Sequence, residues 1–318
     1  MNMKKTLPAF ALLLALTSFT ACASGTDAEF GNYWNGEKLN AVKEIDETLV
    51  YDVVFDATES IVESLDYTFA YSNGVLTTKL TDTTTHDGKV AYIFKSEMSI
   101  DVTYTWNGET TAEPLKDSIV SEVMFYEAAN NLKPIYSTKT IVAHSPSSSS
   151  SHSALSECYS TSTYSVTTDY ATNTSTVTKP DTDLTYNDSF EMDEKYAFID
   201  NEQLLVAIRA FDNSTTSATV ESYSPFVGTP QKIKFTFASE TQGTIFKHSE
   251  NGIKYDSGRP INYRSVTMEI NEKNSGAAQT AWIATDAKDF RHVLLRLETP
   301  AAYSLGTFIY TLKSVERK

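Results

Sequence analysis

The sequence predicts a mainly β fold: a curved antiparallel sheet or half-barrel meander with one short helix packed on or in it. Three observations predict it. Apolar and polar residues alternate with period two through run after run of strand length. Those runs are enriched in aromatic and β-branched residues, and the chain carries 18 Tyr and 16 Phe. Most connections between them are short, which favours antiparallel neighbours over parallel crossovers. At 318 residues the chain is long enough to bury a full core. With 12 Gly and 9 Pro it is neither collagen-like nor linker-dominated, and its aromatic content argues against acidic disorder.

The first element is an export signal over residues 1–21, where Lys4 and Lys5 precede an apolar stretch from Leu7 to Leu16 that ends in small residues around Ala21. It is too short for a membrane span, which takes roughly 20 apolar residues. Phe19-Thr20-Ala21-Cys22 resembles the lipobox of bacterial lipoproteins, with Phe19 where Leu is usual. That resemblance implies a Cys22 that is lipidated and becomes the new N-terminus, and two acyl chains anchor stably where one does not. The alternative is an A-x-A site at Ala21-Cys22-Ala23, cleaved before Ser24, which yields a secreted or periplasmic soluble protein. Residues 22–46 read as a tether and docking segment, with Phe30, Tyr33 and Trp34 as the docking side chains.

A single antiparallel β domain is expected over 47–318. Leu65, Tyr67, Phe69 and Tyr71 share one strand face, and Ser72-Asn73-Gly74 reads as the turn of a hairpin into 75–80. His86-Asp87-Gly88 is a further turn. Strands follow over 92–100, 102–106 (turning at Asn107-Gly108), 119–127, 135–143, 159–170, 232–238, 261–270, 281–285, 292–297 and 308–315. About half of residues 137–189 are Ser or Thr. Because Tyr159, Tyr164, Val166 and Tyr170 keep strand character, only 145–153 is expected to be a Ser-rich loop. One segment breaks the alternation. Asp200 and Gln203 form a capping box, and Leu204, Leu205, Ile208 and Phe211 follow at helical spacing, predicting a helix over 201–211 whose apolar stripe must lie on the sheet or plug its open end.

Trp282-Ile283-Ala284-Thr285-Asp286-Ala287-Lys288, leading through Val293–Leu297 to Gly306–Leu312, resembles the C-terminal pattern of an exported bacterial family, domain-of-unknown-function family 3108. Glu47–Val53 is similar to that family's opening strand, Leu132-Lys133-Pro134 to its mid-chain strand entry, and Leu204–Arg209 to its helix ending in Arg. The resemblance covers roughly 47–315. Asp289-Phe290-Arg291-His292 departs from the family's turn, which tends to carry a second basic residue and a Pro. What the resemblance implies is a curved envelope sheet, similar to the open half-barrels of lipoprotein carriers, and no reaction.

The chemistry that would mark an enzyme is absent from the sequence pattern. Acids outnumber bases 41 to 26, a net charge of −15 that opposes nucleic-acid binding. No histidine stands in a metal-ligand spacing, so no metal is expected. His144, His152 and Cys158 flank the serine run and read as loop residues. There is no G-x-S-x-G elbow and no phosphate-binding glycine motif, so no cofactor is expected. Asp181 with Asp183, and Asp188, Glu191 and Asp193, read as solvated acidic loops rather than calcium loops. Asp286 reads as a turn residue pairing with Lys288 or Arg291, and Arg209 as a helix-end residue or a ligand contact.

The function expected on these grounds is that of a non-enzymatic, lipid-anchored protein of the bacterial cell envelope. Its bent sheet would bind an apolar or amphipathic ligand, such as a lipid, in a groove lined by Tyr67, Phe69, Tyr71, Phe94, Tyr104, Trp106, Arg209, Phe235 and Trp282. The alternative is an adhesion or envelope-assembly module binding an envelope protein or glycan. An envelope hydrolase is the third reading, and it requires a Ser or Asp converging with a His in a cleft.

Overall fold

The computed structural model describes residues 28–36, 44–59, 65–147, 149, 151–182, 184–225, 228–270, 278–301 and 304–318. The signal segment, Cys22 and Asp183 lie outside the described residues. Among the described residues no helix is long and apolar enough to cross a membrane.

Seventeen strands run in chain order: β1 (Asp46–Ala57), β2 (Tyr67–His86), β3 (Lys89–Trp106), β4 (Glu109–Thr110), β5 (Leu115–Tyr126), β6 (Pro134–Pro146), β7 (Tyr159–Asp169), β8 (Thr174–Lys179), β9 (Leu184–Ser189), β10 (Ala197–Asp200), β11 (Ser217–Ser224), β12 (Thr229–Phe237), β13 (Thr241–Glu250), β14 (Ile253–Ile270), β15 (Gln279–Ala284), β16 (Leu294–Pro300) and β17 (Gly306–Arg317). β1 is the seam. It pairs with β2 on one edge and with β17 on the other, both antiparallel. From β2 the ladder runs through β3, β5, β6, β7 and β8 to β9. From β17 it runs through β16, β15, β14, β12 and β11 to β10, the last step being parallel. β13 pairs with the first half of β14 and touches β17 through two residues, Ser249 and Glu250.

The two end strands of this ladder, β9 and β10, are brought together by side chains. The Tyr223 hydroxyl on β11 donates to Asp188 on β9 at 3.0 Å, and Phe190 stacks on Tyr223 at 4.0 Å and on Phe198 at 5.8 Å. The sheet therefore closes into a barrel-like ring, which hides edges that would otherwise template aggregation.

Its interior is filled at one end. Asp200 caps the helical segment, accepting from the Glu202 amide at 2.7 Å while Gln203 accepts from the Asp200 amide at 3.2 Å. The segment is tighter than the apolar spacing predicts: a 3₁₀ turn (Asn201–Gln203), one α-helical turn α1 (Leu204–Ala207) and a second 3₁₀ turn (Ile208–Ala210), after which Phe211 is extended. All ten residues are buried. Phe30 bridges Phe211 antiparallel, and the Gly31 amide donates to the Ala210 carbonyl. That contact leads Trp34, 0 % exposed, edge-on against Tyr92 and Phe125 at 5.4 and 6.4 Å. Gln203 donates to Leu132 in the β5–β6 connection, and Arg209 to the β15–β16 turn. The helix and residues 30–35 thus plug the barrel against those two connections.

Some expectations need correction. Ser72-Asn73-Gly74 is not a turn. β2 runs straight through it with a bulge between Ser72 and Val75, Asn73 has φ 53°, and a Cβ on Gly74 would stand 2.4 Å from the Val53 carbonyl oxygen. An Asn-Gly pair supplies the left-handed backbone a bulge needs as readily as a hairpin turn does. The real turn is Asp87-Gly88, with φ 49° and 75°. The strands expected over 92–100 and 102–106 are one strand, β3, and His292 belongs to the turn before β16 rather than to the strand. β4, β8 to β11 and β13 are additional to the strands expected.

Candidate functional site

At the end opposite the plug, β1 ends while β2, β5, β7 and β17 begin and β3 and β6 end. Antiparallel register places bulky residues face to face there. Phe69 lies opposite Tyr104, Tyr67 opposite Trp106, and Phe55 opposite Phe308. The rings form a continuous belt. Phe55 meets Tyr71 at 4.9 Å and Phe308 at 4.8 Å, Tyr71 meets Phe308 at 5.4 Å, Phe69 meets Tyr104 at 6.1 Å, and Tyr104 stacks on Tyr159 at 4.8 Å. Tyr67 and Tyr104 are buried, whereas Phe55, Phe69, Tyr71, Trp106 and Tyr159 are only half-buried. Burial pushes the hydroxyls of Tyr67, Tyr71 and Tyr104 above the ordinary tyrosine value, so they stay protonated.

Five of the nine proposed groove residues, Tyr67, Phe69, Tyr71, Tyr104 and Trp106, therefore gather at this mouth. The other four do not join them. Phe94 points into the main core, and Phe235 packs on Phe211 at 5.1 Å beside the plug. Trp282 alternates with the buried Ala281 and Ile283 and lies half-buried on the other face, with the Arg296 guanidinium 5.5 Å from its ring centre. Arg209 is 2 % exposed in an ion cluster. It pairs with Glu47 at 2.7 Å and donates to the Arg291 and His292 carbonyls. Its structural role is thus to hold a neighbouring turn, rather than its own helix end.

The Ser-rich loop is latched to the mouth. The Tyr67 hydroxyl donates to the Ser147 carbonyl at 2.7 Å and Tyr104 to the His144 carbonyl at 2.6 Å. Asp117, 0 % exposed, accepts from the His144 amide and faces its Nδ1, each at 2.7 Å. Burial raises the Asp117 carboxyl above its ordinary value, and His144 offsets part of that rise. Asp66 accepts from the His152 amide and Trp106 Nε1 and faces His152 Nδ1 at 2.6 Å, contacts that hold it below its ordinary value, the His152 ring first among them. Each pair resembles the orienting half of a catalytic dyad. Yet His152 Nε2 is buried with no hydrogen-bond partner, so no serine or cysteine is engaged by it. The Cys158 thiol is fully buried and pushed up by that burial, which keeps it protonated and a poor nucleophile. His144, His152 and Cys158 do lie around one loop; Asp117 and Asp66, which the sequence does not single out as partners, hold the two histidines, and the Cys158 thiol faces the Ala154 carbonyl.

Among the described residues, no group of three or more His, Cys, Asp or Glu side chains is arranged to hold a metal ion. Asp286 accepts from the Lys288 and Asp289 backbone amides at 2.9 and 2.5 Å, and so stabilises its turn through main-chain donors rather than by pairing with a basic side chain. Asp188 and Asp193 are tied to Tyr223 and to the Lys195 amide.

The residues that sequence reasoning missed are Phe55, Phe308 and Tyr159. Phe55 and Phe308 are brought together by β1–β17 pairing between the two extremes of the domain, and Tyr159 reaches Tyr104 through the β6–β7 pairing, long-range placements that strand alternation does not carry.

No protein-family model matches the chain, and no curated protein matches it. Among solved structures it is similar to a β-barrel-like protein of domain of unknown function DUF1849 from Brucella abortus, with a TM-score of 0.43 and 7% identity over 87% of this chain and 99% of that one.

Proposed function

We propose that this chain is a non-enzymatic lipoprotein of the bacterial cell envelope, anchored through Cys22, whose barrel mouth takes an apolar or amphipathic ligand such as a lipid. Membership of domain-of-unknown-function family 3108, resembled over residues 47–315, is part of the same proposal. The observation that carries it is the half-buried belt of Phe55, Phe69, Tyr71, Trp106 and Tyr159 at the unplugged end. Aromatic rings left half in water gain free energy when an acyl chain covers them, by about 25 cal/mol per Å² of apolar surface removed from water. The main-chain and hydroxyl groups of the latched loop lie beside them to meet a polar head.

A second reading, as an envelope-assembly module, is favoured by the β13–β14 arm. Ile245 and Ile253 are 56% and 61% exposed there, and most of β13 has an unpaired outer edge. Such an edge is a template for strand addition by a protein partner.

The test is native mass spectrometry with lipid extraction on the Cys22→Ser chain purified from more than one bacterial host, so that covalent acyl chains do not interfere. The proposal expects a lipid at near one-to-one stoichiometry, released by denaturation. A lipid-free chain from every host contradicts it, and a co-purifying protein in its place favours the assembly reading.

A further inference from the structure

The plugged end carries a feature independent of the mouth. A cleft of about 440 Å³ is lined by Glu250, Asn251, Arg259, Lys288, Asp289, Arg291, Arg317 and Lys318. Its sign is opposite to that of the molecule. The chain as a whole has acids over bases by 41 to 26, whereas five cationic side chains face two carboxylates here. Both carboxylates are already engaged, since Arg259 pairs with Glu250 at 3.1 Å and with Asp289 at 3.4 Å. Arg317 is also committed, through Nε to Glu47 and through its terminal nitrogens to the Asp289 and Phe290 carbonyls.

Lys318 pairs with Asp46 at 3.3 Å, so two cations are left in excess. Lys288 is exposed and makes no ion pair among the described residues. Arg291 is half-buried, and among the described residues its guanidinium makes one hydrogen bond, a long 3.5 Å contact to the Trp34 carbonyl. Burial, then the neighbouring Arg317 and Arg209, pull its proton affinity below the ordinary arginine value, with Glu47 opposing. Arg291 and His292 also sit consecutively at φ 51° and 53°, a left-handed pair unusual for residues with side chains. Such strain persists only where the surroundings hold it, and it gathers at binding sites. Guanidinium forks beside a compact ammonium match the oxygens of a phosphoryl group, and a dianion is the charge that this excess compensates.

We propose that this cleft is a binding site for a phosphoryl group, held by Arg291 and Lys288 with Arg259 at its edge. The group belongs either to a soluble phosphate or to the headgroup of an anionic lipid, and the experiment separates the two.

The full exported chain is titrated with inorganic phosphate by calorimetry. In parallel, the Cys22→Ser chain is sedimented with phosphatidylglycerol vesicles and with phosphatidylcholine vesicles. The expected result is saturable phosphate binding that weakens about fivefold in Lys288→Gln, as removal of one charge-assisted contact implies, and is lost in Lys288→Gln/Arg291→Gln. If inorganic phosphate does not bind but phosphatidylglycerol vesicles do, and the same variants abolish that, the phosphoryl group is a lipid's. Lys288→Gln alters an exposed residue without an ion pair, so its unfolding midpoint serves as the folding control. Binding unchanged in that variant, or neither probe binding in a saturable way, overturns the site.

Discussion

Replacing Glu47 by Gln lowers the stability of this protein by about 3–5 kcal/mol, the cost of removing one partner from a buried charge group. Glu47 is 1 % exposed and lies between two guanidiniums, Arg209 at 2.7 Å and Arg317 at 2.9 Å. Burial alone would raise its pKa, and the two arginines more than offset that, leaving it below the ordinary glutamate value. A neutral amide keeps the volume but leaves the buried Arg209 and the half-buried Arg317 without their shared counter-charge. One of them, Arg209, also holds the β15–β16 turn, and the other holds the Asp289 and Phe290 carbonyls of the same turn. The loss therefore loosens the plug and the seam of the barrel together. Chemical unfolding with urea measures it, and a fall in midpoint at unchanged slope is expected. An Arg209→Met/Glu47→Leu double variant recovers part of the loss, because removing the buried Arg209–Glu47 pair whole spares the desolvation that a half-pair cannot repay, while Arg317 keeps its carbonyl acceptors.

The second large effect is a pH dependence set by His292. Its ring is 1 % exposed and stacks on Tyr33 at 4.3 Å; Nδ1 faces the Arg209 carbonyl at 3.1 Å and Nε2 has no partner. Burial first, and the charges of Arg264 and Arg209 with it, lower its pKa to about 4. In the unfolded chain it titrates near the ordinary 6.5. Between those values the unfolded state binds the extra proton, so the contribution of the neutral ring to stability is complete above about pH 6.5, falls as pH drops, and is lost as pH passes through about 4. At about 1.4 kcal/mol per unit, the contribution is on the order of 3 kcal/mol. Asp117 and Asp200, raised by burial, act in the opposite sense over part of that window. The His292→Phe variant isolates the histidine: the difference in unfolding free energy between the two chains should shrink by about that amount from pH 7 to pH 4. A difference independent of pH would show that the imidazole takes up its proton in the folded state.

Much of the barrel is legible in the sequence because a strand with one face on a core must alternate, and Tyr67, Phe69 and Tyr71 or Ile119, Ser121 and Val123 do so over several residues. The plug is legible for another reason. Asp200 and Gln203 announce a helix start through local hydrogen bonding, and the apolar spacing after them has no place on a surface. What escapes is whatever depends on long-range register. Asn73-Gly74 has the chemistry of a turn, and only pairing with both β1 and β3 makes it a bulge. The Ser/Thr-rich β8 and β9 carry little apolar signal, since most of their exposed face is hydroxyl. At the mouth, the belt of Tyr67, Phe69, Tyr71 and Tyr104 comes from strands adjacent in sequence and can be anticipated. Phe55 and Phe308 meet across a separation of the whole domain. Phe94 and Phe235 share the composition of the mouth residues but not their height along the strands, and composition carries no information about height.

The central claim is that the unplugged aromatic mouth is where an apolar ligand sits. A photoactivatable long-chain fatty acid, cross-linked to the Cys22→Ser chain and mapped by peptide mass spectrometry, tests this most directly. The account predicts adducts on the peptides carrying Phe55, Phe69, Tyr71 and Trp106, reduced when Phe69 and Tyr71 are replaced by Ser. Adducts confined to the β13–β14 arm around Ile245 and Ile253, or labelling indifferent to those two substitutions, would contradict it.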